Sequence, residues 1–415
     1  MAAPATGSKV AKSGAVPRGL VTGAVEAGNQ RLALGSIELD RVMGGGLATG
    51  SVSLLGGEPG IGKSTLLLQV AAAIAAGSAV LYASGEESVA QVAQRAQRLG
   101  IEAKRLQLVC ENSLDAILQY CEQQAFALLI VDSIQTMALA AVESSAGSAG
   151  QLREATAALV RHAKSTGLTI LIVGHVTKDG AIAGPKMLEH LVDTVLYFES
   201  DAGSRYRLLR ATKNRFGPVN ELGFFAMSAT GLRDVRNPSA IFLSRNPTPA
   251  PGSIVMVARD GGRPLLVEVQ ALVDRSSFAM PRRVGQGVDN GRLSMLLAVL
   301  HRHGQISLGD HDVFVNIVGG LQISETATDL PVLLALVSSF RGRALPASMV
   351  SFGEVGLTGE VRPVANGEER LRELRKQGYT RVVLPADNAP RPAIEGLDLL
   401  PVRSVSEALA AAFGQ

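Results

Sequence analysis

Short apolar runs alternate with longer helical patterns over the first half of the chain. The runs predict buried strands at residues 51–55, 79–83, 106–110, 127–131, 168–173 and 195–199, and the patterns between them favour helices such as 64–76 and 151–166. Strands that are apolar on both faces and alternate with helices are typical of a parallel sheet covered by helices. The first half of the chain is therefore expected to form an α/β domain.

A proline-rich break separates this pattern from a second one. Pro247, Pro249 and Pro251 lie close together and stop any regular element there. Beyond the break, the sequence predicts strands at 253–258, 265–271, 313–318 and 381–384, and helices at 292–300, 330–340, 369–377 and 406–413. We expect a flexible tail at 1–30, a first domain at 31–245, a linker at 246–252 and a second α/β or α+β domain at 253–415.

Composition narrows the class of protein only moderately. A chain of 415 residues with 47% hydrophobic residues has room for two packed domains, and its formal net charge of +3 is too small to indicate a nucleic-acid partner by itself. Cys110 and Cys121 are too few for a disulfide framework or a four-ligand zinc site, and their apolar neighbours predict buried thiols. The longest apolar stretch is shorter than a membrane span, so we expect a cytoplasmic protein.

A phosphate-binding motif follows the first predicted strand. Residues 57–64 fit the P-loop pattern G-x-x-x-x-G-K-[ST] and open the predicted helix. In such a loop the backbone N–H groups surround the phosphates, Lys63 reaches the terminal oxygens and Ser64 supplies a hydroxyl to Mg²⁺. The chain is therefore expected to bind a nucleoside triphosphate through Gly57, Glu58, Pro59, Gly60, Ile61, Gly62, Lys63, Ser64 and Thr65.

Polar residues at the ends of later strands complete a candidate site. Asp132 ends a buried strand where the Mg²⁺-binding carboxylate of a P-loop enzyme is expected. Glu86 and Glu87 follow another strand, and Glu86 is the better candidate to polarise the attacking water because it lies nearer the strand end. His175 ends a further strand and is a candidate sensor of the γ-phosphate, although a histidine there can also be a packing residue.

Lys213 and Arg215 lie on a predicted turn after a strand at 206–211. Two cations at this distance from the P-loop can act on the phosphates of a neighbouring subunit, as an arginine finger does. The alternative is a solvated basic turn. Spacing alone gives both interpretations equal weight.

Four motifs together resemble the RadA/Sms family of bacterial DNA repair ATPases: LDRVMGGGL at 39–47, SGEES at 84–88, GHVTKDG at 174–180 and KNRFG at 213–217. The resemblance implies a RecA-like ATPase core that binds ATP and Mg²⁺. It also implies a homo-oligomer, expected to be a hexameric ring, in which Lys213 and Arg215 reach the neighbouring ATP site. The resemblance further implies that single-stranded DNA, branched DNA and the recombinase RecA are partners. It also implies that the protein promotes branch migration and is nucleoid-associated. A KaiC-like switch ATPase without DNA translocation is the alternative.

The second half resembles the Lon protease domain through DVFVNIVG at 312–319, FGEVGLTGEVRPV at 352–364 and RVVLPA at 381–386. Lon-type peptidases use a serine activated by a lysine. Alignment with that family places Ala327 at the serine position and Glu368 at the lysine position, and Lys376 is the only lysine after residue 250. We therefore expect no peptidase activity from this domain, and we interpret it as a scaffold for assembly and DNA contact.

Two further expectations concern zinc and DNA. Members of the family usually carry an N-terminal four-cysteine zinc finger, whereas residues 1–30 contain no cysteine, so zinc is not expected and unwinding functions tied to the finger are in doubt. RecA-like rings place the loops after the Asp132 and His175 strands at the DNA channel; here these are 135–150, expected to be mobile, and 177–186. We take Lys178 and Lys186 as DNA-contact candidates, and the group Arg282, Arg283 and Arg292 as either DNA contacts or solvated surface.

Overall fold

The computed structural model describes residues 30–175, 185–200, 205–219, 221–243, 248–260, 262–319, 323 and 325–414. The described residues form two α/β units, each built around its own sheet. No helix within these ranges is long and apolar enough to cross a membrane.

The first unit contains the expected alternation of strands and helices. Its elements are β1 (Arg31–Leu32), α1 (Ile37–Val42), β2 (Leu47–Ala48), β3 (Val52–Gly57), α2 (Lys63–Ala75), β4 (Val80–Ser84), α3 (Val89–Arg98), β5 (Leu106–Cys110), α4 (Leu114–Gln123), β6 (Leu128–Asp132), α5 (Ala149–Thr166), β7 (Thr169–His175), α6 (Pro185–Leu188), β8 (Thr194–Glu199), β9 (Tyr206–Asn214), β10 (Leu222–Ser228) and β11 (Gly231–Asp234).

Nine described strands of this unit form one sheet in the order β11-β10-β9-β8-β3-β7-β6-β4-β5. Pairing is parallel from β8 through β3 to β5, and antiparallel from β8 to β11. The six strands expected from the apolar runs are confirmed, with ends moved by at most two residues. They could be recognised because β3, β4 and β6 are buried on both faces, which makes each a continuous apolar run.

The edge strand β5 shows where one expectation was wrong. Cys110 is exposed rather than buried, because β5 has a neighbour on one side only and its residues are half-buried. Cys121 is partly buried, as an apolar neighbourhood suggests.

The second unit follows the proline-rich segment. Its elements are β12 (Ser253–Asp260), β13 (Arg263–Arg275), β14 (Arg283–Gln286), α7 (Asn290–Gly304), β15 (His311–Ile317), α8 (Asp329–Phe340), β16 (Met349–Ser351), β17 (Glu354–Val355), β18 (Val361–Arg362), α9 (Gly367–Lys376), β19 (Arg381–Pro385), β20 (Asp398–Val402) and α10 (Val405–Phe413). Seven of the described strands form a mixed sheet in the order β14-β15-β13-β12-β16-β19-β20. The predicted helices and the four predicted strands are all present.

The junction between the units is a continuous apolar core with an ion-pair cluster beside it. Phe224 of β10 packs edge-to-face on Phe242, with ring centroids 5.8 Å apart, and both side chains belong to the core of the second unit. Beside them, Glu38 accepts from Arg41 and Arg263, with an N–O distance of 3.0 Å in each pair. The stretch before the expected linker therefore already packs on the second unit, and the expected domain limits stay a prediction.

Candidate active site

The P-loop connects β3 to α2 and leaves the helix N-terminus open to an anion. Gly62, with φ 117°, precedes α2, and no side chain caps the helix and no acidic residue lies in its first turn. This φ lies in the left-handed region, which side chains with a Cβ rarely adopt, so the position favours glycine. The loop residues Glu58 and Gly60 beside this uncapped N-terminus are exposed, and the free N–H groups of a helix N-terminus are suited to bind phosphate.

Lys63 is buried in the loop, and among the described residues its hydrogen bonds go to backbone oxygens. Its Nζ donates to the carbonyls of Gly57, at 2.8 Å, and Glu58, at 2.9 Å. Burial lowers the pKa of Lys63 to about 8, while the nearby carboxylates of Asp132 and Glu86 act in the opposite direction. A phosphate anion in the loop would raise the pKa of Lys63 again, because a nearby opposite charge favours the protonated amine.

Glu86 lies where the loop after β4 meets the ends of β6 and β7. Ser133 Oγ donates to its Oε1 at 2.5 Å, and His175 Nε2 lies 3.1 Å from the same oxygen. The contact with His175 is the chief cause that lowers the pKa of Glu86 to about 2, with Ser133 and the charge of Lys63 adding to it. Glu86 is thus an ionised carboxylate on the exposed side of the site.

Glu87, its neighbour in the sequence, is held away from that cluster. Its two oxygens accept from Arg95 of α3 at 2.5 and 2.6 Å, and its N–H donates to Ser84 Oγ at 3.0 Å. A bidentate pair of this kind fixes a carboxylate in one orientation. The geometry therefore favours Glu86 over Glu87 as the group that orients water.

Asp132 ends β6 and is buried, with a relative exposure of 5%. The hydroxyl of Tyr82 donates to its Oδ2. The peptide bond between Asp132 and Ser133 is cis. Gly85 donates its N–H to the Asp132 carbonyl at 2.8 Å. A Cβ at Gly85 would overlap Thr136 Oγ1, so the loop after β4 needs a glycine at this position to lie so close to the end of β6.

His175 is the last residue of β7, two residues beyond the predicted end of the strand at 173. Its backbone oxygen accepts from Gln135 Nε2 at 3.3 Å. Gln135 belongs to the segment that follows Asp132, so this bond joins that segment to the strand that carries His175. Residues 176–184, which include the predicted DNA contact Lys178, lie outside the described residues.

Lys213 and Arg215 lie at the opposite end of the sheet from the P-loop of their own chain. Lys213 lies within β9 rather than on a turn, because a bulge near Val195 extends the pairing of β9 with β8. Its Nζ donates to the carbonyls of Glu189, at 2.6 Å, and Val192, at 2.8 Å, and burial lowers its pKa, with the charge of Arg215 adding to this. The Arg215 side chain is 53% exposed and lies 3.3 Å from Asp193.

The predicted DNA contacts differ in their surroundings. Lys186 is exposed on α6. Arg282 pairs with Asp312 at 2.7 Å, Arg292 pairs with Asp329, and Arg283 donates to the carbonyls of Leu308 and His311. The three arginines are therefore joined to separate partners within the second unit, which favours a structural role, and their contact with DNA stays a prediction.

Residues 135–150 were expected to be mobile, yet internal hydrogen bonds hold this loop. The buried Gln151 donates its amide to the carbonyls of Leu139, Val142 and Ser144, and Asp115 accepts from the N–H of Ala140 at 2.9 Å. A glutamine directly after a small polar loop was the available sequence signal for this anchor.

The residues present fit a nucleoside triphosphate with Mg²⁺. The open N-terminus of α2 and Lys63 suit phosphate, while the Ser64 hydroxyl and the Asp132 carboxylate are oxygen ligands of the kind Mg²⁺ prefers. Bound Mg²⁺ would neutralise charge on the phosphate oxygens. The described residues include no group of three or more His, Cys, Asp and Glu side chains placed to hold a metal ion, and the expectation about zinc stays a prediction.

The fold and this site define the class of protein: a P-loop ATPase with a RecA-like core and a second, Lon-like domain. Two family models match the chain, one described as an AAA domain over residues 32–181 and one described as subunit ChlI of Mg-chelatase over residues 290–388. Among solved structures, the RadB recombinase matches 49% of this chain and all of its own with 22% identity and a TM-score of 0.40.

Relatives of known family match nearly the whole chain. The DNA repair protein RadA of Pseudomonas aeruginosa is 54% identical over 92% of this chain and 84% of its own length. The RadA protein of Escherichia coli is 54% identical over 91% of this chain and 82% of its own length. The RadA protein of Bacillus subtilis is 45% identical over 91% of this chain and 83% of its own length. The chain belongs to the RadA family of DNA repair proteins. The expected resemblance and fold class are confirmed, and the chain is a RecA-like ATP hydrolase of DNA repair.

Proposed function

We propose that this chain is a DNA-dependent ATPase that hydrolyses ATP between the subunits of a homo-oligomeric ring. It moves along single-stranded DNA and promotes branch migration in recombinational repair. The ring is hexameric in this proposal, and RecA is a partner as the family resemblance implies.

The position of Arg215 is the observation that carries the shared site. Its N–H donates to the Asp193 carbonyl at 3.2 Å, and Asp193 exchanges hydrogen bonds with Val52 at the start of β3. The P-loop begins at Gly57, the other end of β3, roughly 16 Å away along the strand. Arg215 is thus remote from the phosphates of its own subunit, whereas its exposed guanidinium is available to those of a neighbour.

Each catalytic group then has a separate task. Lys63 and the N-terminus of α2 bind the phosphates, and Ser64 and Asp132 hold Mg²⁺. Glu86 accepts a hydrogen bond from the attacking water and orients it. Arg215 stabilises the charge that develops on the γ-phosphate of the neighbouring site. Lys213 orders the segment before β8 through its bond to the Val192 carbonyl, and Arg215 pairs with Asp193 in the same segment.

His175 connects hydrolysis to movement. It contacts Glu86 through its ring and Gln135 through its backbone oxygen, so it lies between the carboxylate that acts on water and the loop 135–150. In this proposal loss of the γ-phosphate alters the Glu86–His175 contact, and Gln135 transmits the change to the DNA-facing loop. Backbone N–H groups and Lys186 bind the DNA backbone with little sequence preference, since aromatic side chains are absent from the sequence of both loops.

ATP turnover with and without single-stranded DNA tests the motor. Unstructured poly(dT) should raise turnover several-fold, and the gain should fall as salt rises because phosphate contacts are screened. Lys186→Ala should lose part of this stimulation while the basal rate persists, and Lys104→Ala, an exposed lysine elsewhere, is the matched control. Equal turnover with and without DNA would reject the motor and favour a KaiC-like switch.

A further inference from the structure

Tyr82 is a buried tyrosine in β4, between Leu81 and Ala83. Its relative exposure is 1%, and it packs with Ile130 and Leu67 in the core between the sheet and α2. A buried phenol needs a hydrogen-bond partner, whereas phenylalanine would fill the same space without one. The tyrosine hydroxyl is therefore a specific feature of this position.

That partner is the carboxylate of Asp132. Strand register places Tyr82 opposite Ile130 and Ser84 opposite Asp132, so Asp132 follows Ile130 on the face that carries the Tyr82 ring. The hydroxyl donates to Oδ2, and Oδ1 accepts no hydrogen bond from any part of the chain that the structure describes. One oxygen is thus fixed and the other remains available to a ligand.

Charge and burial make this contact effective. Asp132 is 5% exposed, so water cannot easily replace the phenol as a donor. The phenol is itself 1% exposed, so the two groups are paired away from solvent. β3 and β6 run parallel on either side of β7, so Asp132 at the end of β6 lies at the same edge of the sheet as the P-loop.

We propose that Tyr82 is a positioning residue of the Mg²⁺ site, where its hydroxyl orients the Asp132 carboxylate so that Oδ1 faces the metal and its water shell. This inference rests on the proposed role of Asp132. Hydrogen bonds to metal-binding carboxylates set the orientation of the ligand, and their loss typically reduces metal affinity about 10- to 100-fold.

The test compares Tyr82→Phe with Tyr120→Phe, whose hydroxyl contacts Gln107 on an exposed face. Binding of a fluorescent ATP analogue is titrated with Mg²⁺, and Mn²⁺ binding is followed directly by electron paramagnetic resonance. For Tyr82→Phe we expect the Mg²⁺ midpoint to rise about tenfold or more, with nucleotide affinity in EDTA unchanged. Tyr120→Phe should match the unmodified protein in both measurements.

Three outcomes would overturn the proposal: an unshifted Mg²⁺ midpoint, an equal loss of nucleotide affinity with and without metal, or unchanged Mn²⁺ binding. Tyr82→Leu, which keeps the position apolar, repeats the test if the phenylalanine variant does not fold. Asp132→Asn separates the two levels of inference. If the Mg²⁺ midpoint shifts for Asp132→Asn but not for Tyr82→Phe, the positioning role of Tyr82 is rejected and the Mg²⁺ site stands. If the midpoint does not shift for Asp132→Asn, the proposed Mg²⁺ site at Asp132 is itself rejected. In the Asp132→Asn background, Tyr82→Phe should add nothing to the Mg²⁺ shift, since the carboxylate that Tyr82 orients is already absent.

Discussion

The carboxyl ends of the strands in the first domain differ sharply from the corresponding peptidase region of the second. In the first domain, Lys63 donates to two backbone oxygens of the P-loop, and Glu86 is ionised and accessible. In the second, Ala327 is buried among apolar side chains, and the fully buried Arg370 pairs with Glu325. Polar groups that remain available to a ligand indicate catalysis, whereas polar groups that satisfy one another indicate a scaffold.

The variants Glu86→Gln and Glu87→Gln test which of the two carboxylates in the ATP site orients water. Glu86→Gln removes the group that orients water and should lower kcat by about 10²- to 10⁴-fold while ATP still binds. Glu87→Gln weakens the contact with Arg95 and should leave most of the activity. Steady-state turnover and ATP binding, measured on both variants, show which carboxylate is needed for hydrolysis. The reverse ranking would contradict the assignment.

Arg370→Ala tests whether the buried ion pair of the second domain stabilises its fold. The change removes the charged partner of Glu325 and four hydrogen bonds, two to Glu325 and two to the carbonyls of Val257 and Ala365, so the second domain should lose about 3–5 kcal/mol in free energy of unfolding. Arg372→Ala on the same helix is the control, because its exposed pair with Glu368 should contribute less than about 1 kcal/mol. Denaturant unfolding measures both variants. Equal stabilities would show that the buried pair does not stabilise the domain.

The lowered pKa of Lys63 predicts a pH-dependent ATP affinity. The free protein loses the Lys63 proton as the pH rises through about 8, whereas bound phosphate keeps the amine charged. Binding should therefore take up a proton and weaken as the pH rises, by about fivefold between pH 8 and pH 9. Calorimetry in buffers of different ionisation enthalpy measures the uptake, and Lys63→Arg should abolish it. Constant affinity across this range in the unmodified protein would contradict the prediction.

The smallest expected effect comes from restoring the peptidase residues. Ala327→Ser with Glu368→Lys should produce no cleavage of casein, because position 327 is 1% exposed and position 368 lies on an exposed helix face. Detectable proteolysis would mean that the second domain retains an accessible site and would remove the contrast between the two domains.

Much of the fold could be predicted because buried parallel strands are continuous apolar runs. β10 and β11 were not predicted: β11 is a four-residue edge strand, and the C-terminal half of β10 is only partly buried. The P-loop was predictable because its residues are consecutive in the sequence. The bond between Tyr82 and Asp132 was not, because it depends on the register of two strands far apart in sequence. A tyrosine between Leu81 and Ala83 was the only signal.

The pairings of charged side chains were also beyond sequence analysis. Nothing in the order of residues shows that Arg95 reaches back to Glu87, or that Arg282 and Arg292 are held by Asp312 and Asp329. A count of basic residues therefore overestimates the free positive charge on the second domain.

The central claim is that the ATP site is shared between subunits, and mixing two inactive variants tests it most directly. Lys63→Ala lacks the phosphate-binding lysine and Arg215→Ala lacks the cation that acts on the neighbour, so neither should hydrolyse ATP alone. In an equal mixture, roughly a quarter of the interfaces would join an intact P-loop to an intact Arg215, and turnover should recover toward that fraction. No recovery, with mixed assemblies verified by native mass spectrometry, would contradict the account.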